Sequence, residues 1–247
     1  MPKALIIKNK IQEFNKEIEV DGDKSLTIRW VLLASQAIGV SRAYNFLMSE
    51  DAIAAIDSIK KLGIKAKIYK NSCEIFGCGI NGFKYKKNLT LNAKNSGTVG
   101  RLILGLLIKS PYKIKLIGDK SLSKRDFFRI TKPLEKFGAS FYYKKKNRLP
   151  LSILGIKSIK GIKYLESKGS AQCKSSVMLA ALNASGTTHI KARKSRNHSE
   201  LLFKYLKIPI KIRKTKKYDF IDIKKPEKIK SFNYQIPGDI SSSAFFM

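Results

Sequence analysis

The sequence predicts an α/β domain assembled from three copies of a strand–helix–strand–helix–strand–strand (βαβαββ) unit. Three observations predict it. An apolar helix, a Gly turn and a strand recur together three times. A second, amphipathic helix follows each of those strands, and short strands follow each second helix. Ser25, Ser96 and Ser170 mark equivalent helix starts. A unit of roughly 70 residues exceeds the 20–50 residues of solenoid repeats, so the three units are expected to close around one core.

The elements follow in order. "DKSLTIRWVLLASQAIGVSRAYNF" supplies the first helix, turn and strand. "SEDAIAAIDSIKKLGIKAKIY" follows as a capped helix and strand, with Ile53, Ile56 and Ile59 at helical spacing and Leu62-Gly63 as its stop. "SCEIFGCGI" adds a strand, where Cys73 and Cys78 read as reduced, buried thiols. "KNSGTVGRLILGLLIKSPYKIKLIG" opens the second unit. "SKRDFFRITKPLEKFGASFYY" continues it as a capped helix closed by Phe137-Gly138, and "LPLSILG" ends it. "GSAQCKSSVMLAALNASGTTHIKA" and "SRNHSELLFKYLKIPIKIRK" repeat the order a third time. "PGDISSSAFFM" then echoes the first start, Gly238-Asp239 with Ser241 matching Gly22-Asp23 with Ser25. A helix halted in its first turns cannot bury its apolar face, so a truncated piece of a longer protein is expected.

Composition narrows the function. At 43% hydrophobic residues, the 247-residue chain can fill a core and is not a disordered tail. No apolar run reaches membrane-spanning length, and "MPKALIIKNKIQEF" reads as no cleavable leader, so a cytoplasmic protein is expected. Three cysteines and two histidines, His189 and His198, offer no metal spacing, so no metal is expected. His198 reads as a capping or packing residue rather than a base. The formal charge of +32 invites a nucleic-acid reading, but the lysines are scattered rather than striped, and no nucleic-acid motif is visible. A surface bias that also attracts anionic substrates fits better. The rival reading is a basic anion- or nucleic-acid-binding fragment without catalysis.

The helix starts carry the sharper signal. A helix N-terminus offers unpaired amides and partial positive charge, and Lys or Arg there adds donors for phosphate or carboxylate. The first start has Lys24, Ser25 and Arg29, where cations stand in place of the usual acidic first turn. The second has Asn95, Ser96, Gly97, Thr98 and Arg101, and the third Ser170, Gln172 and Lys174. Arg125 and Arg196 open the second helices. Each residue alone reads as a cap or a solvated charge. Their recurrence at equivalent places points to a ligand with two or more anionic groups.

"DGDKSLTIR", "NSGTVGR", "SLSKRDFFRITKPLEKFGA", "GSAQCKSSVMLAALNASGTT", "SRNHSE" and "PGDISSSAFF" together resemble, in order, the signatures of the 5-enolpyruvylshikimate-3-phosphate (EPSP) synthase family. The sister UDP-N-acetylglucosamine enolpyruvyl transferase family fits less well, with Lys-Asn in place of Lys24-Ser25 and a reactive cysteine loop that has no counterpart here. The resemblance implies one domain of the two-domain enolpyruvyl transferase fold: residues 21–236 as a complete three-repeat substrate-binding domain, 1–20 as a strand stub of the other domain, and 237–247 as its start. It implies transfer of the enolpyruvyl group of phosphoenolpyruvate to the 5-hydroxyl of shikimate 3-phosphate, with release of phosphate and no cofactor. It also implies a monomeric full-length enzyme.

By the same resemblance, Lys24, Ser25, Arg29, Ser170, Ala171, Gln172, Ser195 and Arg196 bind shikimate 3-phosphate. Lys24, Asn95, Gly97, Thr98, Arg125 and Gln172 form the phosphoenolpyruvate side, and Lys24 touches both substrates as the catalytic lysine. The acid–base carboxylates are implied to lie in the other domain, so the chain alone is expected to be inactive. Four positions depart from the family's usual pattern. Asp21 and Asp126 stand where Pro is usual, Lys94 where Gly is, and Asn197 where Asp is common.

Overall fold

The structure, a computed structural model, describes residues 15, 17–80 and 82–244. Most of the stretch 1–20 and the last three residues of 237–247 lie outside the described residues.

The first unit runs α1 (Lys24–Ser35), β1 (Ile38–Tyr44), α2 (Glu50–Lys61), β2 (Lys65–Ile68) and β3 (Ser72–Cys78). The second runs β4 (Thr90–Asn92), α3 (Gly97–Leu106), β5 (Ile114–Ile117), α4 (Phe128–Glu135), β6 (Ser140–Lys145) and β7 (Arg148–Leu154). The third runs β8 (Lys163–Glu166), α5 (Ala171–Ala181), β9 (Thr187–Arg193), α6 (His198–Tyr205), β10 (Ile210–Lys214) and β11 (Tyr218–Lys224). β12 (Asn233–Gln235) and the short α7 (Ile240–Ser243) follow.

Each unit owns one four-stranded sheet. The orders are β4-β5-β7-β6 in the second unit and β8-β9-β11-β10 in the third, with the first pair parallel and the others antiparallel. The first sheet reads β12-β1-β3-β2. The slot that β4 and β8 fill in their own units is filled here by β12, parallel to β1 with Arg42 opposite Asn233. The first unit therefore takes its leading strand from the end of the third, and the three units close into a ring.

The helices fall into two sets. Every residue of α1 from Leu26 onward is buried, as is all of α3 except Arg101 and all of α5 from Cys173 onward. A helix apolar on all sides belongs in the interior, and these three form the shared core. Gly105 permits the close approach of α3 to α5, because a Cβ there would lie 2.2 Å from the Ser176 carbonyl oxygen. α2, α4 and α6 bury one face each; in α2, Ala52, Ala55, Ile56 and Ile59 turn inward while Lys60 and Lys61 face solvent.

The capping differs in part from expectation. Asp23, not Ser25, caps α1, accepting from Leu26 N at 2.7 Å, so that helix does open on an acid. Ser49, Ser96 and Ser170 cap α2, α3 and α5 through their hydroxyls. α4 and α6 lack a side-chain cap at their N-cap residues, Phe127 and Asn197. The segment read as the start of α4 instead forms a 3-10 turn at Leu122–Lys124, after which Asp126 Oδ1 accepts from Phe128 N at 2.6 Å. Gly63 and Gly138 provide the expected exits, with φ of 90° and 101°. Cys73 is buried, and burial pushes its thiol up to about 12; Cys78, expected to be buried, ends β3 in an exposed position.

The segments before α1 and before α7 lie side by side. Gly22 and Gly238 form an antiparallel bridge, Asp23 N donates to Pro237 O at 2.8 Å, and Asp239 N donates to Asp21 O at 2.9 Å. Among the described residues, no helix is long and apolar enough to cross a membrane.

Candidate functional site

The packing of the inner helices brings their first turns together. Gln172, in the first turn of α5, donates from Nε2 to Thr98 Oγ1 of α3 at 3.0 Å. Its Oε1 accepts from the Arg101 guanidinium. One turn deeper, Ser176 Oγ donates to Arg101 O at 3.0 Å. Arg29 of α1 reaches the other neighbours: Nε donates to Ser199 Oγ of α6 at 2.9 Å, Nη2 to Ser175 Oγ of α5 at 3.2 Å, and Nη1 to Ser25 O at 2.9 Å. The starts of α1, α3, α5 and α6 are thereby tied into one surface.

Arginines crowd the α3 side. A Cβ on Gly97 would lie 2.9 Å from Arg125 Nη1 and 3.4 Å from Arg101 Nη1, so the bare glycine backbone sits between two guanidinium heads. Burial pushes the Arg101 pKa down, and the charges of Arg125 and Arg129 add to the downward shift. Arg125 is exposed and forms no ion pair among the described residues. Asn95 Nδ2 donates to Asp119 Oδ2 at 2.6 Å, holding the loop that enters α3. Lys94 in that loop has φ of 50°, the left-handed conformation glycine favours, and is pinned by Asn92 Oδ1 accepting from its N–H at 2.8 Å.

On the α1 and α6 side, Lys24 is exposed and lies 3.7 Å from Asp51 Oδ2. Ser25, Ser170 and Ala171 are half-buried. Ser170 N donates to Glu166 Oε2 at 2.9 Å, while its hydroxyl accepts the cap bond and keeps its own proton to donate. Arg196 is exposed beside the half-buried Ser195. Burial pulls the His198 pKa below the usual histidine range, so the ring is neutral near pH 7.

Two expected cations are placed differently from the reading of open helix mouths. Arg29 is 4% exposed, and burial pushes its pKa down to about 10 against the opposing pull of Glu200 and Asp23. Lys174 is fully buried, with Nζ 2.5 Å from Glu200 Oε1. Lys24, Arg125 and Arg196 remain the exposed cations of the predicted set. Sequence reasoning took no account of Ser175, Ser199 and Glu200. They stand inside quoted motifs, but nothing in a linear pattern shows that "KSS" and "HSE" face each other.

Five carboxylates around these helix starts are engaged, while the exposed Asp21 side chain makes no hydrogen bond or ion pair among the described residues. Asp23 and Asp239 cap helices, Asp51 pairs with Lys24, Asp119 holds Asn95, and Glu166 accepts from Lys168 N and Ser170 N. Among the described residues, no group of three or more His, Cys, Asp or Glu side chains is arranged to hold a metal.

Comparison with known proteins matches this architecture. The profile described as EPSP synthase (3-phosphoshikimate 1-carboxyvinyltransferase) matches residues 8–247. The 3-phosphoshikimate 1-carboxyvinyltransferase of Bacillus subtilis (strain 168) is 36% identical over 242 residues, 97% of this chain and 55% of the relative. That of Ruthia magnifica subsp. Calyptogena magnifica is 39% identical over 232 residues, 93% of this chain and 52% of the relative. An EPSP synthase structure from Acinetobacter baumannii superposes with a TM-score of 0.84 at 34% identity, covering 93% of this chain and 52% of that one. The chain spans about half the length of the curated relatives it matches. With the family profile matching residues 8–247 and about half of that solved chain superposed, this chain belongs to the EPSP synthase family.

Proposed function

We propose that this chain is the shikimate 3-phosphate-gripping half of a 3-phosphoshikimate 1-carboxyvinyltransferase, with residues 21–236 as its complete domain and 1–20 and 237–247 as parts of the other. The observation that carries the reading is the joining of four helix starts by Gln172 and Arg29. Backbone amides at helix starts, together with exposed Lys24, Arg125 and Arg196, suit a ligand pair bearing a phosphate and carboxylates. The antiparallel pairing of Gly22 with Gly238 supports two neighbouring chain crossings into a second domain.

In this reading Ser25, Ser170, Ala171, Ser195 and Arg196 hold shikimate 3-phosphate, with Arg29 beneath them. Asn95, Gly97, Thr98 and Arg125 form the phosphoenolpyruvate side, and Lys24 and Gln172 reach both substrates. The reaction adds the 5-hydroxyl across the enol double bond and then expels phosphate. The first step needs a base for the hydroxyl and an acid for the methylene carbon. Asp23, Asp51, Asp119, Glu166 and Asp239 at these helix starts serve as caps and partners, so this half binds and orients while the proton-transfer carboxylates come from the other half.

The reading of a basic binding fragment draws on the +32 charge alone, whereas the joined helix starts favour the enzyme half. The deciding experiment is a calorimetric titration of the chain with shikimate 3-phosphate beside a single-stranded oligonucleotide of equal charge. Saturable, salt-sensitive binding of the former supports the enzyme half. Binding of the oligonucleotide alone refutes it.

A further inference from the structure

Lys174 and Glu200 form a buried ion pair whose role is not to contact substrate. Lys174 is fully buried and the Glu200 side chain nearly so, with Nζ 2.5 Å from Oε1. Neither Lys174 Nζ nor Glu200 Oε2 makes a hydrogen bond among the described residues, so the contact is one of charge proximity. Such a pair contributes about as little net stability as an apolar pair of similar volume, because desolvation offsets the attraction. What it adds is a second fixed contact between two helix starts. Lys174 stands in the first turn of α5 and Glu200 in the first turn of α6. Their sequence neighbours make a second rung: Ser199 Oγ donates to Ser175 Oγ at 2.7 Å, and Arg29 donates to both hydroxyls. Consecutive residues on each helix thus form a two-rung clamp. In the chain, Ser170 caps α5 and Gln172 lies in its first turn, while Ser195 and Arg196 immediately precede Asn197, the N-cap of α6.

We propose that the Lys174–Glu200 pair is a positioning device that fixes the start of α6 against the start of α5, setting the separation of Ser170 from Ser195 and Arg196 for a phosphorylated ligand. A rung of two serines fixes distance but leaves α6 free to roll about it. A second rung one residue on removes that freedom. The ligand's identity rests on the function proposed above; the clamp itself does not.

The test is the double variant Lys174→Met/Glu200→Leu in the 247-residue chain, which removes both charges of the pair and leaves the buried Arg29 with Asp23 and its three hydrogen bonds. Three readouts apply: thermal melting, amide hydrogen exchange at residues 195–201, and titration with shikimate 3-phosphate. Positioning predicts a melting temperature close to that of the unaltered chain. It predicts exchange about tenfold or more faster at the α6 start, because the local opening is no longer opposed there. It also predicts an affinity loss of about two- to fivefold from misplaced donors in an open site. A double variant that folds and shows unchanged exchange overturns the proposal, since the pair then only fills space. A double variant that fails to fold also overturns it, since the pair is then a stability element. If the unaltered chain does not bind shikimate 3-phosphate, the proposed function fails, while the exchange measurement still decides the clamp.

Discussion

Gln172 Nε2 donates to Thr98 Oγ1 at 3.0 Å, closing a contact between two helix starts 74 residues apart in the chain. The same side chain accepts from Arg101, so one amide orders a hydroxyl and a guanidinium at once. Replacing Gln172 with Ala removes both bonds and frees Arg101. Contacts of such an open site are worth about 0–1 kcal/mol each, so shikimate 3-phosphate affinity is expected to fall by up to about fivefold. Calorimetric titration of the variant beside the parent chain checks this. Unchanged affinity would show that the Gln172 bridge plays no part in binding.

Arg29 and Arg196 separate stability from binding. Arg196 is exposed, so Arg196→Ala is expected to keep the melting temperature and weaken shikimate 3-phosphate binding. Arg29 is buried with three hydrogen bonds to Ser25, Ser175 and Ser199. Arg29→Ala leaves those acceptors in a cavity and is expected to lose about 3 kcal/mol or more of stability as well as affinity. Denaturant unfolding of both variants tests the contrast; equal stability of the two would contradict the buried placement of Arg29.

Lys94 holds a left-handed φ of 50°, a conformation that costs a non-glycine residue about 1 kcal/mol. Its ion pair with Asp57, at 3.5 Å, is half-exposed on both sides and contributes little. Lys94→Gly is therefore expected to stabilise the chain by up to about 1 kcal/mol, the gain being reduced by glycine's larger unfolded-state entropy. A lower unfolding midpoint would show that the Lys94 side chain matters more than its backbone.

Gly105 lies inside α3, where Gly→Ala ordinarily stabilises a helix by about 0.5–1 kcal/mol. Here a Cβ would sit 2.2 Å from the Ser176 carbonyl oxygen of α5, and backbone cannot swing aside. Gly105→Ala is expected to destabilise by about 1–3 kcal/mol and to disturb the neighbouring Ser176–Arg101 bond. Equal or greater stability by thermal unfolding would refute the close α3–α5 crossing.

The repeat was legible because apolar helices, Gly turns and strands recur in order, and those features are local. The glycine exits at Gly63 and Gly138 were legible for the same reason. What the sequence hid is tertiary. "FNYQIP" gives no sign that its strand completes the first sheet beside β1, because parallel pairing depends on a partner far away in the chain. Ser25 resembles Ser96 and Ser170 in the pattern, yet Asp23 is near enough to take the cap. Lys174 and Arg29 read as mouth-facing cations because charge is normally solvated. Only packing shows Glu200 and the serine pair waiting inside. For the candidate site, motif order named most of the residues that the helix starts bring together, and burial then sorted exposed cations from internal ones.

The most direct test of the central claim is a paired measurement on the purified 247-residue chain: titration with shikimate 3-phosphate, and phosphate release with shikimate 3-phosphate and phosphoenolpyruvate together. The account predicts weak, saturable binding that Arg196→Ala diminishes. An open site leaves each ionic contact in water, where it is worth about 0–1 kcal/mol. It predicts no turnover, because Asp23, Asp51, Asp119, Glu166 and Asp239 at the helix starts are engaged as caps and partners. Sustained phosphate release by this chain would contradict the division of labour proposed here, and absence of any shikimate 3-phosphate binding would contradict the site itself.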